Sequence, residues 1–124
     1  MAHNRSLTWH KIFESEAVAH QKLPLHQAYP LRIGLKKICL IRTPAAIFAL
    51  EDACPHKLIA LSEGKVNDDS TITCSWHQYC FRLHDGEETT GKNIRPVKTY
   101  PLKIEEDGVH IGLPKESYRD PFSF

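Results

Sequence analysis

The first apolar stretch of the chain is short and lies between polar residues. The segment LTWHKIF at 7–13 mixes aromatic and β-branched residues and predicts a first strand. Residues 14–30 contain Pro24 and Pro30, which interrupt any long helical pattern. We therefore expect an irregular segment with one short strand there.

The clearest periodicity follows Pro30. Alternation of Leu31, Ile33 and Leu35 predicts one strand, and the continuous apolar run at 38–41 predicts its neighbour after a turn within 34–37. A further short apolar stretch at 46–50 follows a Thr-Pro turn. This hairpin should deliver the residues that follow it to a loop at the tip.

The second half of the chain repeats the same pattern. Residues 65–66 and 71–74 flank an Asn- and Asp-rich turn and predict a second hairpin. Alternation at 79–83 predicts a strand that ends in the turn at 84–86. Two further alternating segments, 98–104 and 109–113, predict a terminal hairpin around Asp107-Gly108, with 114–124 as a C-terminal tail. Many short strands without a convincing helix of ten residues indicate an all-β sandwich or small barrel.

The composition limits the function classes. A chain of 124 residues with 41% apolar residues predicts a single domain, 1–124. Sixteen Lys and Arg nearly balance fifteen Asp and Glu, which argues against nucleic acid or an anionic membrane as a partner. Neither a hydrophobic leader nor a membrane-spanning apolar run is apparent, so we expect a soluble, cytoplasmic protein. Its four cysteines then favour metal binding over disulfides.

Two Cys-His pairs carry the candidate chemistry. Cys54-Pro55-His56 is followed after seventeen residues by Cys74-Ser75-Trp76-His77. Thiolate and imidazole are common metal ligands, and two such pairs in one loop-rich stretch indicate a metal site within about residues 52–82. The other cysteines, Cys39 and Cys80, are expected to be small buried residues with inert thiols.

The spacing of the pairs distinguishes two kinds of metal site. A mononuclear zinc site usually separates paired ligands by two to four residues, so a Cys-x-His pair is tight for it. If the two ligands of each pair instead go to different metals, the short spacing suits a binuclear cluster. A two-iron, two-sulfide cluster has this requirement.

The two pairs, followed by Tyr79 and Phe81, resemble the cluster-binding boxes of Rieske-type [2Fe-2S] proteins. The resemblance extends from about residue 38 to residue 113. It implies a fold of three small antiparallel sheets with two cluster-binding loops at one end. It also implies that Cys54 and Cys74 hold one iron while His56 and His77 hold the other, in one [2Fe-2S] cluster per chain.

Several positions of the two boxes refine the expectation. High-potential respiratory members of the family carry a disulfide between the loops and a serine near the second box, where this chain has Ile59, Trp76 and Tyr79. We therefore expect a potential near the lower end of the roughly −150 to +300 mV Rieske range. Similar proteins often have glycine after the second histidine and aspartate after the aromatic residue, and this chain has Gln78 and Arg82.

The residues around the boxes suggest where a partner would approach. Lys57 and Gln78 would rim the cluster, although a merely solvated Lys57 is the simpler interpretation. Trp76 is expected to pack between the loops rather than to face a partner.

No catalytic motif or phosphate-binding loop accompanies the boxes, so we expect an electron-transfer protein rather than an enzyme. The favoured function is a monomeric Rieske ferredoxin that carries single electrons from a reductase to a terminal oxygenase. Two alternatives remain: a Rieske-type small subunit of a larger reductase, such as nitrite reductase, and a zinc-stabilised interaction module without a redox role.

Overall fold

The chain is described by a computed structural model that covers residues 6–55, 58–76 and 78–115. Its strands, in chain order, are β1 (Leu7–Phe13), β2 (Ala28–Ile33), β3 (Lys36–Arg42), β4 (Ile47–Glu51), β5 (Lys65–Val66), β6 (Thr71–Thr73), β7 (Cys80–Arg82), β8 (Thr99–Tyr100), β9 (Leu102–Glu105) and β10 (Gly108–Pro114). These ranges also contain the helix α1 (Glu16–Lys22) and a 3-10 turn at Leu61–Glu63.

The strands form three antiparallel sheets. Their orders are β1-β10-β9, β2-β3-β4-β8 and β5-β6-β7. The third sheet contains the predicted hairpin of β5 and β6, in which Val66 pairs with Ile72. The expectation of an all-β fold with three small antiparallel sheets is confirmed.

The helix α1 was not predicted, and the expectation of an irregular segment at 14–30 is wrong for this part. The Ser15 side chain accepts a hydrogen bond of 3.1 Å from the backbone N–H of Val18 and caps the helix. Ala19 and Leu23 are fully buried, and Pro24 follows the helix instead of interrupting it. A helix of only seven residues is too short for its periodicity to stand out.

The hairpin of β2 and β3 turns earlier than the alternation predicts. Ile33 pairs with Lys36, so Gly34 and Leu35 form a two-residue turn. Gly34 has a φ of 60°, the backbone that glycine supplies at the first position of a type II′ hairpin turn. Leu35 is therefore not a strand residue, and it is 90% exposed.

The predicted strand at 98–104 is divided at Pro101. β8, before the proline, pairs with β4, whereas β9, after it, pairs with β10 around the turn at 106–107. Proline has no N–H to donate, which suits a position where the chain passes from one sheet to the next. Pro114 is the last residue of β10 and pairs with Leu7, and residues 116–124 of the predicted tail lie outside the described part of the chain.

The sheet β2-β3-β4-β8 separates two hydrophobic cores. One face contributes Cys39, Ile41 and Leu50 to the first core. The opposite face contributes Ile38, Leu40 and Ala49 to a second core, which also contains residues of α1, β1 and β10. Burial of both faces explains why residues 38–41 read as a continuous apolar run. Across the described ranges, none of the helical segments is long and apolar enough to cross a membrane.

Candidate metal centre

The first Cys-His loop begins directly after β4, and backbone hydrogen bonds fix its start. The N–H of Glu51 donates to the carbonyl of Lys98, and the N–H of Asp52 donates to the carbonyl of Lys37, each at 2.9 Å. The loop therefore starts from a hydrogen-bonded part of the central sheet, β2-β3-β4-β8.

The carboxylate of Asp52 joins the two ends of this loop. It accepts hydrogen bonds from the backbone N–H of Ser62 at 2.6 Å and from the Ser62 hydroxyl at 2.7 Å. Asp52 is 7% exposed, and these bonds satisfy both of its oxygens at that depth. The sequence offered no signal for this contact, because its two residues are ten positions apart and belong to no local motif.

Within the first loop the backbone closes around Cys54. Its N–H donates to the carbonyl of Ile59 at 2.7 Å, and its carbonyl accepts from the N–H of Leu58 at 2.6 Å. Leu58 has a φ of 59°, in the left-handed region. Burial of Cys54 is complete.

The second loop repeats this arrangement. The N–H of Cys74 donates to the carbonyl of Tyr79 at 2.7 Å, again five residues later. Gln78 has a φ of 58° and stands four residues after Cys74, as Leu58 stands four residues after Cys54. Both loops thus present a cysteine from the same kind of closed turn, and the expected glycine position is occupied by Gln78 in a backbone conformation that favours glycine.

The two cysteines belong to one buried cluster of residues. Cys54 and Cys74 are both fully buried in the first core, together with Leu61 and Phe81. No disulfide links any of the four cysteines, all of which lie within the described ranges. His56, Lys57 and His77 lie outside the described residues. Two thiols delivered by equivalent loops to one core fit a metal centre that takes one thiolate from each loop.

The remaining cysteines differ from one another. Cys39 is fully buried, and its burial, with Asp52 nearby as the second cause, raises the pKa of the thiol far above its usual value. The expectation that Cys39 is a small buried residue is confirmed. Cys80 is only partly buried, with its Sγ 3.2 Å from the Thr73 hydroxyl oxygen, so the expectation of a buried Cys80 is wrong. It stands in the short strand β7, next in sequence to Phe81 of the first core.

Two aromatic residues near the second loop have different environments. Tyr79 is half-buried and packs against the first core. Trp76 is 54% exposed, so the expectation that it packs between the loops is wrong for most of its surface. The second loop therefore presents an aromatic side chain to solvent next in sequence to His77.

A family model and several known proteins match this chain. The model of the Rieske [2Fe-2S] domain matches residues 8–101, which is more than half of the chain. The ferredoxin component of the alkene monooxygenase system of Xanthobacter autotrophicus is 30% identical over 87 residues, covering 68% of this chain and 70% of the relative. The ferredoxin subunit of the 3-phenylpropionate/cinnamic acid dioxygenase of Escherichia coli is 32% identical over 78 residues, covering 63% and 74%.

Solved structures agree with the fold. The ferredoxin of carbazole 1,9a-dioxygenase from Nocardioides aromaticivorans superposes with a TM-score of 0.70 at 16% identity, covering 88% of this chain and 98% of that one. A structure named as the small subunit of an NADH-dependent nitrite reductase from Mycobacterium tuberculosis also gives 0.70 at 16% identity, covering 86% and 96%. From the extent of the family match, the chain belongs to the Rieske [2Fe-2S] domain family and carries a [2Fe-2S] cluster.

Proposed function

We propose that this protein is a one-electron carrier that takes electrons from a reductase and delivers them to a terminal oxygenase or a comparable enzyme. The main support is the family match together with relatives that are ferredoxin components of oxygenase systems. The chain spans at least 70% of those two relatives. We further propose that it acts as a monomer in the cytoplasm and has no catalytic activity of its own.

We assign the cluster ligands from the two loops. Cys54 and Cys74 would hold one iron, and His56 and His77 would hold the other. When bound, the cluster accepts and releases one electron, and its two imidazole ligands make reduction easier than in an all-cysteine ferredoxin. The protein's own contribution is to present both cysteines from closed turns inside a core that excludes water.

Substitution of single ligands tests this assignment. We expect Cys54→Ser or His77→Ala to prevent stable cluster assembly, because in either variant one iron loses one of its two protein ligands. His84→Ala is the matched control, since His84 is exposed in the turn after β7 and should leave cluster content unchanged. Iron and sulfide analysis with the visible spectrum measures the outcome. Loss of the cluster in the His84 variant would show that the ligands are assigned wrongly.

The reduction potential is expected to lie near the lower end of the roughly −150 to +300 mV Rieske range. The disulfide that high-potential respiratory members carry between the two loops cannot form here, because Ile59 and Trp76 stand where those members have cysteine. The serine that those members have near the second box is also replaced here, because Tyr79 stands at its position. Redox titration of the purified protein gives the value directly, and a strongly positive potential would contradict the prediction.

The electron-carrier function has a direct kinetic test. The purified protein is mixed without oxygen with the other components of the alkene monooxygenase system and of the dioxygenase system to which the two relatives belong. We expect reduction of the cluster by a reductase component and its reoxidation by an oxygenase component, both visible as bleaching and recovery of the absorption. A cluster that exchanges electrons with none of these components would contradict the proposal.

The likeness to a nitrite reductase small subunit supports a second candidate, a permanent subunit of a larger reductase. At 16% identity this likeness concerns the fold. Gel filtration separates the two: a carrier elutes as a monomer, whereas a subunit co-purifies with its large partner. The zinc module is tested by colour, because a [2Fe-2S] protein is brown and a zinc protein is colourless.

A further inference from the structure

Two strongly exposed leucines border one groove beside the first cysteine loop. Leu35 is 90% exposed and Leu58 is 70% exposed. Both line a groove of about 350 Å³, together with Lys36 and Lys37. Single exposed apolar residues are normal on proteins, but two leucines that share a groove next to a metal centre suggest a surface that another molecule covers.

Both leucines are held in place by the backbone. Leu35 occupies the two-residue turn between β2 and β3, where the pair of Ile33 and Lys36 closes the hairpin. Leu58 lies in the closed turn around Cys54, through the 2.6 Å hydrogen bond from its N–H to the Cys54 carbonyl. Because both residues sit on tight turns, their backbone is already ordered, and a partner would have to order only the two side chains.

The charges presented by this groove are mainly positive. Its two carboxylates already have partners in the protein. Glu51 accepts from Arg95 at 3.0 Å and from the N–H of Lys98 at 3.1 Å. Asp52 keeps its negative charge, but it is only 7% exposed and both of its oxygens are bound by Ser62.

The two lysines supply the positive charge of the groove. The Lys36 ammonium lies 5.7 Å from the centre of the Tyr100 ring, and Lys37 is exposed. The groove therefore offers two apolar side chains next to two ammonium groups, and this combination matches an apolar contact flanked by carboxylates.

We propose that the leucine-lysine groove, formed by Leu35, Lys36, Lys37 and Leu58, is the docking surface for the protein that exchanges electrons with the cluster. The matching face of that partner carries an apolar patch bordered by Asp and Glu side chains. This inference rests on the proposed carrier function. Leu58 belongs to the loop that presents Cys54, so a partner seated here would lie close to the cluster.

The first part of the test measures the charge of the surface with small oxidants. Reduced protein is mixed with ferricyanide, which is anionic, or with tris(phenanthroline)cobalt(III), which is cationic. Lys37→Glu should lower the ratio of the ferricyanide rate to the cobalt rate by about threefold at low salt, and added salt should abolish the effect. Lys22→Glu makes the same charge change on α1, which packs in the second core, and should leave the ratio unchanged. An equal change in both variants would contradict the proposal that the surface beside the cluster is positively charged.

The second part measures docking with whichever reductase component reduces the wild-type protein. Leu35→Ser and Lys37→Glu should each raise the KM for this protein as the reductase's substrate by about fivefold, with kcat and cluster content unchanged. Ile104→Ser is the apolar control, because Ile104 is 45% exposed on β9, in a different sheet. Lys22→Glu is the charge control.

The outcomes separate the docking surface from the function. If the groove variants match their controls while electrons still pass, the docking surface is wrong and the carrier function stands. If no reductase or oxygenase component exchanges electrons with a wild-type cluster that reacts with ferricyanide, the carrier function is wrong, and the groove loses its proposed partner.

Discussion

The left-handed backbone at Gln78 gives a physical reason for the glycine expected at this position. A residue with a Cβ at a φ near 58° costs free energy that glycine avoids. The equivalent residue of the first loop, Leu58, adopts almost the same φ. Closing each turn on its cysteine therefore requires this conformation, and the chain maintains it at both positions without glycine.

Replacing Gln78 by glycine should stabilise the protein. We expect Gln78→Gly to raise the free energy of unfolding by about 1 kcal/mol, because relief of the left-handed strain exceeds the greater entropy of glycine in the unfolded chain. Urea unfolding of the cluster-loaded protein measures the change.

Gln78→Ala serves as the control for this prediction. Alanine removes the same polar side chain but keeps the Cβ, so it should not stabilise the protein. Equal shifts in the two variants would mean that the side chain of Gln78, and not its backbone, determines the result.

At the scale of elements, the turn after β7 explains how the chain accommodates Arg82. The guanidinium donates through Nε to Asp85 at 3.0 Å and through Nη2 at 2.7 Å, and Asp85 also accepts from the N–H of Glu87. Gly86 completes this turn with a φ of 77°, where a Cβ would come within 1.9 Å of the Val97 carbonyl oxygen. The charge of Arg82 is therefore balanced by Asp85, which lies in the turn that directly follows it.

This turn predicts a pH dependence. The hydrogen bonds from Arg82, followed by that from the N–H of Glu87, lower the pKa of Asp85 to about 2. A carboxylate whose folded pKa is depressed stabilises the fold above its unfolded pKa of about 4, and it loses this contribution as the pH falls towards 2. Asp85→Asn should therefore be less stable than the wild type at pH 6, and the difference should shrink on acidification.

Urea unfolding of wild type and Asp85→Asn, done side by side at each pH, measures the difference in their free energies of unfolding. Any effect of acid that is common to both proteins cancels in this difference. Arg82→Gln, which removes the partner instead of the carboxylate, should show the same narrowing. A gap between wild type and Asp85→Asn that stays constant from pH 6 to pH 3 would contradict the prediction.

Elements with a strong local pattern could be predicted from the sequence, and those that depend on distant contacts could not. Aromatic and β-branched residues located β1, the Asn- and Asp-rich turn located the pair of β5 and β6, and alternation located the terminal hairpin. The Cys-His spacing identified the two loops. In contrast, α1 is too short to show a period, and Pro101 divides its strand because β4 offers a separate edge for pairing. The contact of Asp52 with Ser62 and the left-handed backbone at Leu58 arise from loop closure, which leaves no pattern in neighbouring residues.

The whole molecule is organised by the central sheet, whose two faces belong to different cores. Adjacent residues of β3 point in opposite directions, so Leu40 packs in the second core while Ile41 packs in the first core with Cys54 and Cys74. Both residues are fully buried. β3 thus contributes to both cores, but the first core, which holds Cys54 and Cys74, and the second core consist of different apolar residues.

This arrangement predicts that two neighbouring substitutions affect the cluster differently. Leu40→Ala and Ile41→Ala should each lower the free energy of unfolding by about 2 to 5 kcal/mol, because each leaves a cavity in a fully buried site. Only Ile41→Ala should also hasten loss of the cluster from the folded protein, since its cavity opens in the core that holds both cysteines. The rate of bleaching in the presence of an iron chelator, measured well below the unfolding midpoint of each variant, separates the two effects. If both variants lose the cluster at the same rate, the two cores respond as one unit, and the cluster reports the stability of the whole fold instead of the packing around its own loops.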